Sequence, residues 1–167
     1  MAETNLHNYS VQEKLNKQDV DVISKTVVST TNSCSVNEVI FQGDELENMV
    51  SVKGGTCIIQ SISLIDIDDN GESVDLVFSN EPITLDDSND GTVIDAIAAV
   101  AAKIIGVVTI NNYFNGGAWT YGHKENIGLA LKAGADTKSI YVCGVNRGAT
   151  SSWTASGISL VVGVIKD

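Results

Sequence analysis

Residues 57–79 read C-I-I-Q-S-I-S-L-I-D-I-D-D-N-G-E-S-V-D-L-V-F-S. Apolar side chains recur at every second position on both sides of Asn70-Gly71, the period of a half-buried strand. Asn-Gly between two such runs is the sequence signature of a type I′ hairpin. With a two-residue loop, Ile67 faces Val74, Ile65 faces Leu76 and Ser63 faces Phe78 on one side of the ribbon. Asp68 then faces Ser73, and Asp66 faces Asp75, on the other. Strands at 57–67 and 74–79 are therefore the first expectation.

The same stretch has the look of a calcium loop. Asp66, Asp68, Asn70 and Gly71 match the first three ligand positions and the turn glycine of an EF-hand loop, but the place of its bidentate glutamate is taken by Val77, and the flanks read as strands. An EF-hand is excluded. A weak cation site on Asp66, Asp68 and Asp75 is the remaining metal alternative. Charges that keep a wet hairpin face from pairing with other strands are the plainer reading.

Outside this ribbon the β pattern continues at 22–30, 36–42, 107–110, 127–132, 139–145 and 158–165. Residues 92–106 (T-V-I-D-A-I-A-A-V-A-A-K-I-I-G) carry Ile94, Ile97, Ala98, Ala101 and Ile105 at helical spacing, with Thr92 as cap and Gly106 as stop. Short strands with one helix inserted midway predict an all-β chain. The expected architecture is an antiparallel β-sandwich of jelly-roll type. Residues 1–20 are polar, with isolated Leu6, Tyr9, Val11 and Leu15, and read as an extended N-terminal arm that orders on a neighbouring chain. Residues 21–167 form the single sandwich domain.

The 167 residues are 43% hydrophobic and 5% aromatic, with a formal net charge of −11. Such a chain can build a core without a metal or disulfides. No basic patch is available to drive nucleic-acid binding. Cys34, Cys57 and Cys143 have no motif spacing and read as buried free thiols of a protein made in a reducing cytoplasm. The start lacks a secretory pattern, and the apolar run from Val93 to Ile110 is broken by Asp95 and Lys103, so neither secretion nor a membrane span is expected.

No G-x-S-x-G, phosphate-loop or H-E-x-x-H motif is present, and His7 and His123 have no ligand spacing. We expect no catalytic residues, no cofactor and no enzymatic activity. Binding candidates remain. Residues 112–122 gather Tyr113, Phe114, Trp119 and Tyr121 around a turn at Asn115-Gly116-Gly117. Such a group can line a glycan or protein contact, or be partly buried by pairing of the two strands. Arg147 and Trp153 are residue types that anchor interfaces, or pack a loop back over the sandwich end.

Taken in order, residues 61–78 (S-I-S-L-I-D-I-D-D-N-G-E-S-V-D-L-V-F), 102–110 (A-K-I-I-G-V-V-T-I), 124–133 (K-E-N-I-G-L-A-L-K-A), 139–150 (S-I-Y-V-C-G-V-N-R-G-A-T) and 157–167 (G-I-S-L-V-V-G-V-I-K-D) resemble small virion proteins of tailed bacteriophages. The resemblance spans roughly residues 57–167 and rests on strands and turns. It implies a capsid decoration or cement protein on the outside of the head shell. Its partners would be the major capsid protein, neighbouring virion proteins and further copies of itself, with a trimer as the guess for the oligomer. Leu6, Tyr9, Val11, Leu15, Trp119, Tyr121, Arg147 and Trp153 are the expected contact residues. The alternative is a head-fibre or tail adhesin domain recognising host glycan.

Overall fold

A computed structural model of the chain describes residues 19–86 and 98–167. Twelve strands are present among the described residues: β1 (Asp19–Thr26), β2 (Ser33–Cys34), β3 (Val39–Leu46), β4 (Thr56–Asp66), β5 (Val74–Ser79), β6 (Ile104–Ile110), β7 (Tyr113–Asn115), β8 (Thr120–Lys124), β9 (Leu129–Lys132), β10 (Ile140–Asn146), β11 (Ser151–Ser152) and β12 (Ile158–Lys166). One sheet runs β1-β12-β4-β8-β7, with β9 also paired to β4, and the other runs β3-β10-β5-β6. A two-stranded β2–β11 ribbon links two loops.

The pairing is nested. β1 pairs β12, β3 pairs β10, β4 pairs β8 and β9, and β5 pairs β6, all antiparallel. Successive pairs fall in alternate sheets, which is the rolled-up order of a jelly roll. The sandwich expected from the strand pattern is the fold observed.

The Asn70-Gly71 hairpin is not formed. β4 and β5 belong to different sheets, so none of the expected partners across the turn face each other. Residues 67–73 instead carry the chain from one layer to the other. The cause is Asp66, only 2% exposed. Its Oδ1 accepts the Asp68 backbone N–H at 2.9 Å, and its Oδ2 accepts those of Asn70 and Gly71 at 3.0 and 3.3 Å. A carboxylate that gathers three backbone donors winds the loop around itself and outcompetes the turn that Asn-Gly would make alone. Asp69 and Gly71 take the left-handed backbone that this winding needs (φ 57° and 63°).

The helix expected at 92–106 ends at Ala101. α1 covers Ala98–Ala101 and residues 92–97 lie outside the described residues. Ile104, Ile105 and Gly106 belong to β6, which pairs with β5. Gly106 is therefore no helix stop. A Cβ there would sit 2.8 Å from a Leu129 methyl, so the glycine lets the Leu129 side chain lie close over the strand. No helix among the described residues is long and apolar enough to cross a membrane.

β4 explains how the larger sheet is filled. Cys57 and Ile59 face inward, and so do Ile62, Leu64 and Asp66, two sets in opposite phase. The register against β12 shifts between Gly163 and Val164, which leaves Gln60 as one extra residue. This is a β-bulge, and it returns both halves of the strand to the core. The bulge also divides the strand's other edge: β9 pairs with 56–59 and β8 with 62–66, while the Gln60 carbonyl accepts the Ile127 N–H at 3.1 Å.

The main core lies between the layers. Phe41, Leu76, Phe78 and Val142 of the smaller sheet meet Ile59, Ile62, Leu160 and Val162 of the larger one. Each such side chain contributes about 1.5–3 kcal/mol by leaving water. A second cluster (Val39, Val77, Ile83, Leu85, Cys143 and Val145) covers the back of the smaller sheet, where Val100 and Ile104 also pack. The smaller sheet is thus covered on both faces except along its β6 edge, where Val107 is exposed, whereas the larger one keeps its outer face toward solvent, with Val20, Val22 and Phe114 exposed.

Gly144, in the middle of β10, lies opposite Phe41, and a Cβ there would come within 2.2 Å of the Phe41 ring. Gly144→Ala should destabilise the fold by about 1–3 kcal/mol through overpacking. Urea denaturation checks this, and Phe41→Leu in the same chain should recover part of the loss.

Candidate functional site

The sequence candidates do not form one patch. The acidic group at 66–75 is engaged internally. Asp66 holds its own loop, as above. Asp68 Oδ2 accepts the Thr154 N–H at 2.8 Å and the Thr154 hydroxyl at 3.1 Å. Asp75, on β5 in the other sheet, accepts the Thr109 hydroxyl at 2.6 Å and the Arg147 Nε–H at 2.6 Å. Asp66 and Asp75 therefore never face each other. Among the described residues, no group of three or more His, Cys, Asp and Glu could hold a metal.

Arg147 and Trp153 sit in the loop between β10 and β12. The Arg147 guanidinium bridges Asp75 and the Asn37 side chain, tying this loop to the one before β3. Trp153 is 3% exposed and belongs to the main core, so its ring has little surface to offer a partner. The β2–β11 ribbon, Asn70 Nδ2 donating to the Ser152 carbonyl (3.0 Å), and Asp68 on Thr154 fasten the loops at this end to one another. Packing of the loop over the sandwich end is the observed arrangement.

The hairpin at 113–124 forms as its sequence suggests. Phe114 lies opposite Tyr121, and Asn115 opposite Thr120, across a turn closed by the Trp119 carbonyl and the Gly116 N–H (2.8 Å). Pairing sorts the aromatics by face. Tyr113 turns inward, where burial pushes its hydroxyl pKa well above the usual range; that hydroxyl has no hydrogen-bond partner among the described residues. Phe114 and Trp119 turn outward, 64% and 41% exposed, with ring centroids 5.9 Å apart. Tyr121 and His123, two residues apart on β8, share the same outer face.

Ser63 joins them, and nothing in the sequence pattern singled it out. Register places it opposite His123. Its Oγ lies 2.7 Å from the Tyr121 hydroxyl and 2.9 Å from His123 Nδ1. The two rings stack at 5.9 Å with an interplanar angle of 15°. Beside them runs an open cleft of about 440 Å³ at the β6–β8 edge, to which Asn111, Asn112 and Glu125 contribute polar groups. His123 is an exposed residue of strand β8.

Leu6, Tyr9, Val11 and Leu15 lie outside the described residues. The described residues begin at Asp19, which pairs with Lys166, itself opposite Cys57 at the start of β4. Thr120, at the aromatic turn, pairs with Asp66 at the end of β4. The two places are diagonal corners of the open sheet, roughly 30 Å apart along the strands.

All three cysteines are buried free thiols. Burial pushes each thiol pKa up to about 11, with Glu38 adding to the effect at Cys34 and Asp167 at Cys57. The native protein should therefore resist iodoacetamide at pH 8, and all three sites should alkylate once it is unfolded, as intact mass spectrometry would report. Asp66→Ala should lower stability by about 2–3 kcal/mol, since three donors lose one acceptor. Millimolar calcium should leave the melting temperature of the unaltered protein where it was. A calcium-dependent rise would restore the cation reading.

No protein-family model matches the chain, and no curated protein does. Among solved structures, a structure of Tomato aspermy virus is similar at 5% identity and a TM-score of 0.40, over 88% of this chain and 75% of that one. A heated full particle of Israeli acute paralysis virus gives 11% identity and a TM-score of 0.35, over 87% and 67% of the two chains. The adhesin domain of Lys-gingipain from Porphyromonas gingivalis gives 15% and 0.28, over 86% and 73%. Likeness at this level carries no functional weight, and the reading below rests on the chain's own residues.

Proposed function

We propose that this chain is a virion structural protein, a decoration or cement protein that binds the outside of a tailed-phage head shell. Its mode of action is adhesion and not catalysis. The resemblance of residues 57–167 to small phage virion proteins supports this reading, and the jelly roll is compatible with it, since capsid and lectin domains both use that fold. A fold does not fix a function, so the weight falls on one observation. The segment bearing Leu6, Tyr9, Val11 and Leu15 leads into the sandwich at an edge strand, on a corner remote from the laced loops. From there it can lie on the major capsid protein or on a neighbouring copy without disturbing the core, whose described members run from Val27 to Val164.

In this reading residues 1–20 are the attachment arm and 21–167 the rigid body, with β1 starting at Asp19 as the junction. Modest contacts repeated over a lattice add up through multivalency. Assembly as a closed oligomer, a trimer for example, would multiply the arms per particle. The net charge of −11 suits a crowded, solvent-facing position and leaves phosphate backbones unattractive. A head-fibre or tail adhesin is the second reading, favoured by the outward Phe114 and Trp119 at the opposite corner.

The test compares the full chain with residues 19–167. Both should give the same β circular-dichroism spectrum and a cooperative melt. In co-sedimentation with purified shells lacking this protein, the shortened chain should lose binding at least tenfold. Equal occupancy by the two forms would refute the arm as the attachment device.

A further inference from the structure

The cleft beside the aromatic turn has the composition of a sugar site. A saccharide presents an apolar C–H face and a rim of hydroxyls. The first is recognised by an aromatic plane, the second by planar amides and carboxylates that donate or accept in fixed directions. Phe114 and Tyr121 lie opposite each other on neighbouring strands and supply the planes. Asn111, Asn112 and Glu125 supply the polar rim of the same cleft, whose volume of about 440 Å³ suits a short oligosaccharide.

The site is also built in advance. One hydroxyl, that of Ser63, meets both the Tyr121 hydroxyl and His123 Nδ1, and so fixes two rings that already stack on each other. Rings held in place lose little freedom when a ligand arrives, which matters for ligands whose intrinsic affinity is low. Lys124 and Glu125 both line the cleft, and the Lys124 ammonium donates to the Thr109 carbonyl of the same wall (3.2 Å), so the two charges offset each other locally. The net charge of −11 then disfavours sialylated or sulfated glycans. A peptide adding itself as a strand is disfavoured too, because the bordering strand β7 has only three residues to pair with.

We propose that the cleft at the β6–β8 edge binds a neutral saccharide, stacked on Phe114 and Tyr121 and hydrogen-bonded by Asn112 and Glu125, with Ser63 as the positioning residue for the rings. The site stands whether the protein decorates a head or belongs to a fibre. It lies diagonal to the arm and so is separable from shell attachment.

The labelled full chain would be applied to an array carrying neutral, sialylated and sulfated glycans. Neutral glycans should bind, with millimolar affinity for a single chain, and titration of a bound disaccharide followed by NMR should shift the signals of Phe114, Tyr121, His123 and Glu125. Phe114→Ala and Glu125→Gln, both at exposed positions, should each weaken binding about tenfold and leave the melting temperature unchanged. Ser63→Ala should weaken it too and broaden the His123 ring signals, which a purely structural role for Ser63 would leave sharp. None of the three should alter co-sedimentation with shells, so loss of sugar binding and loss of attachment are distinguishable. The proposal falls if no glycan on the array binds. It falls equally if only anionic glycans bind, or if Phe114→Ala and Glu125→Gln bind as the unaltered chain does.

Discussion

The one extra residue in β4 is the constraint on which the rest depends. A strand has a strict period of two, so Cys57 and Ile59 cannot share a face with Ile62 and Leu64 unless the phase is reset between them. Gln60 resets it. With the bulge, Cys57, Ile59, Ile62, Leu64 and Asp66 all face inward along one strand, and β12 runs beside it from Cys57 to Asp66. Without it, either Cys57 and Ile59 or Ile62 and Leu64 would face water. On the ordinary scale of about 1.5–3 kcal/mol per large apolar side chain, that is comparable with the whole stability of a small domain.

Two consequences follow from the same device. The far edge of β4 is divided at the bulge, with β9 pairing below it and β8 above it. The second phase then ends on Asp66, a carboxylate brought inside at the point where the chain must change layers. Burying an ion is costly unless donors surround it. Here the loop's own backbone supplies them, and the crossing to β5 is made rigid by the same hydrogen bonds. Asp68 then fastens this crossing to Thr154, and Arg147 fastens Asp75 to Asn37, so the loops at that end brace one another.

Much of the fold was legible in the sequence because it depends on local pattern. The alternation in 57–66, 74–79 and 158–165, and the glycine turn after Asn115, identify strands and a hairpin that are present. What failed to show depends on non-local facts. Asn70-Gly71 is a strong turn signal, but whether Asp66 is buried is decided by the other sheet, and the buried carboxylate prevails over the turn. Residues 104–106 carry helical spacing only because Ile105 continues the phase of Ala98 and Ala101; pairing with β5 and the tight approach of Leu129 to Gly106 take them into a strand. Trp153 was grouped with interface anchors by residue type, and burial could not be read from its polar neighbours. Ser63 was invisible for a different reason: its role comes from lying across from His123, sixty residues on in sequence.

The fold and the candidate site therefore meet at Gln60. Had β4 kept the phase of Cys57 and Ile59, position 63 would point into the core and Ile62 would lie outside. The bulge turns Ser63 to the outer face, where its hydroxyl reaches Tyr121 and His123. It also ends the reach of β9 and leaves β8 to pair with 62–66, which sets His123 across from Ser63 and Tyr121 across from Ile65, two residues along. The smaller sheet has no comparable surface, since Ile83, Leu85 and Val100 pack on its back. The larger layer presents its ordered ring cluster on an open sheet face, and the residue that fills its core is the one that arranges it.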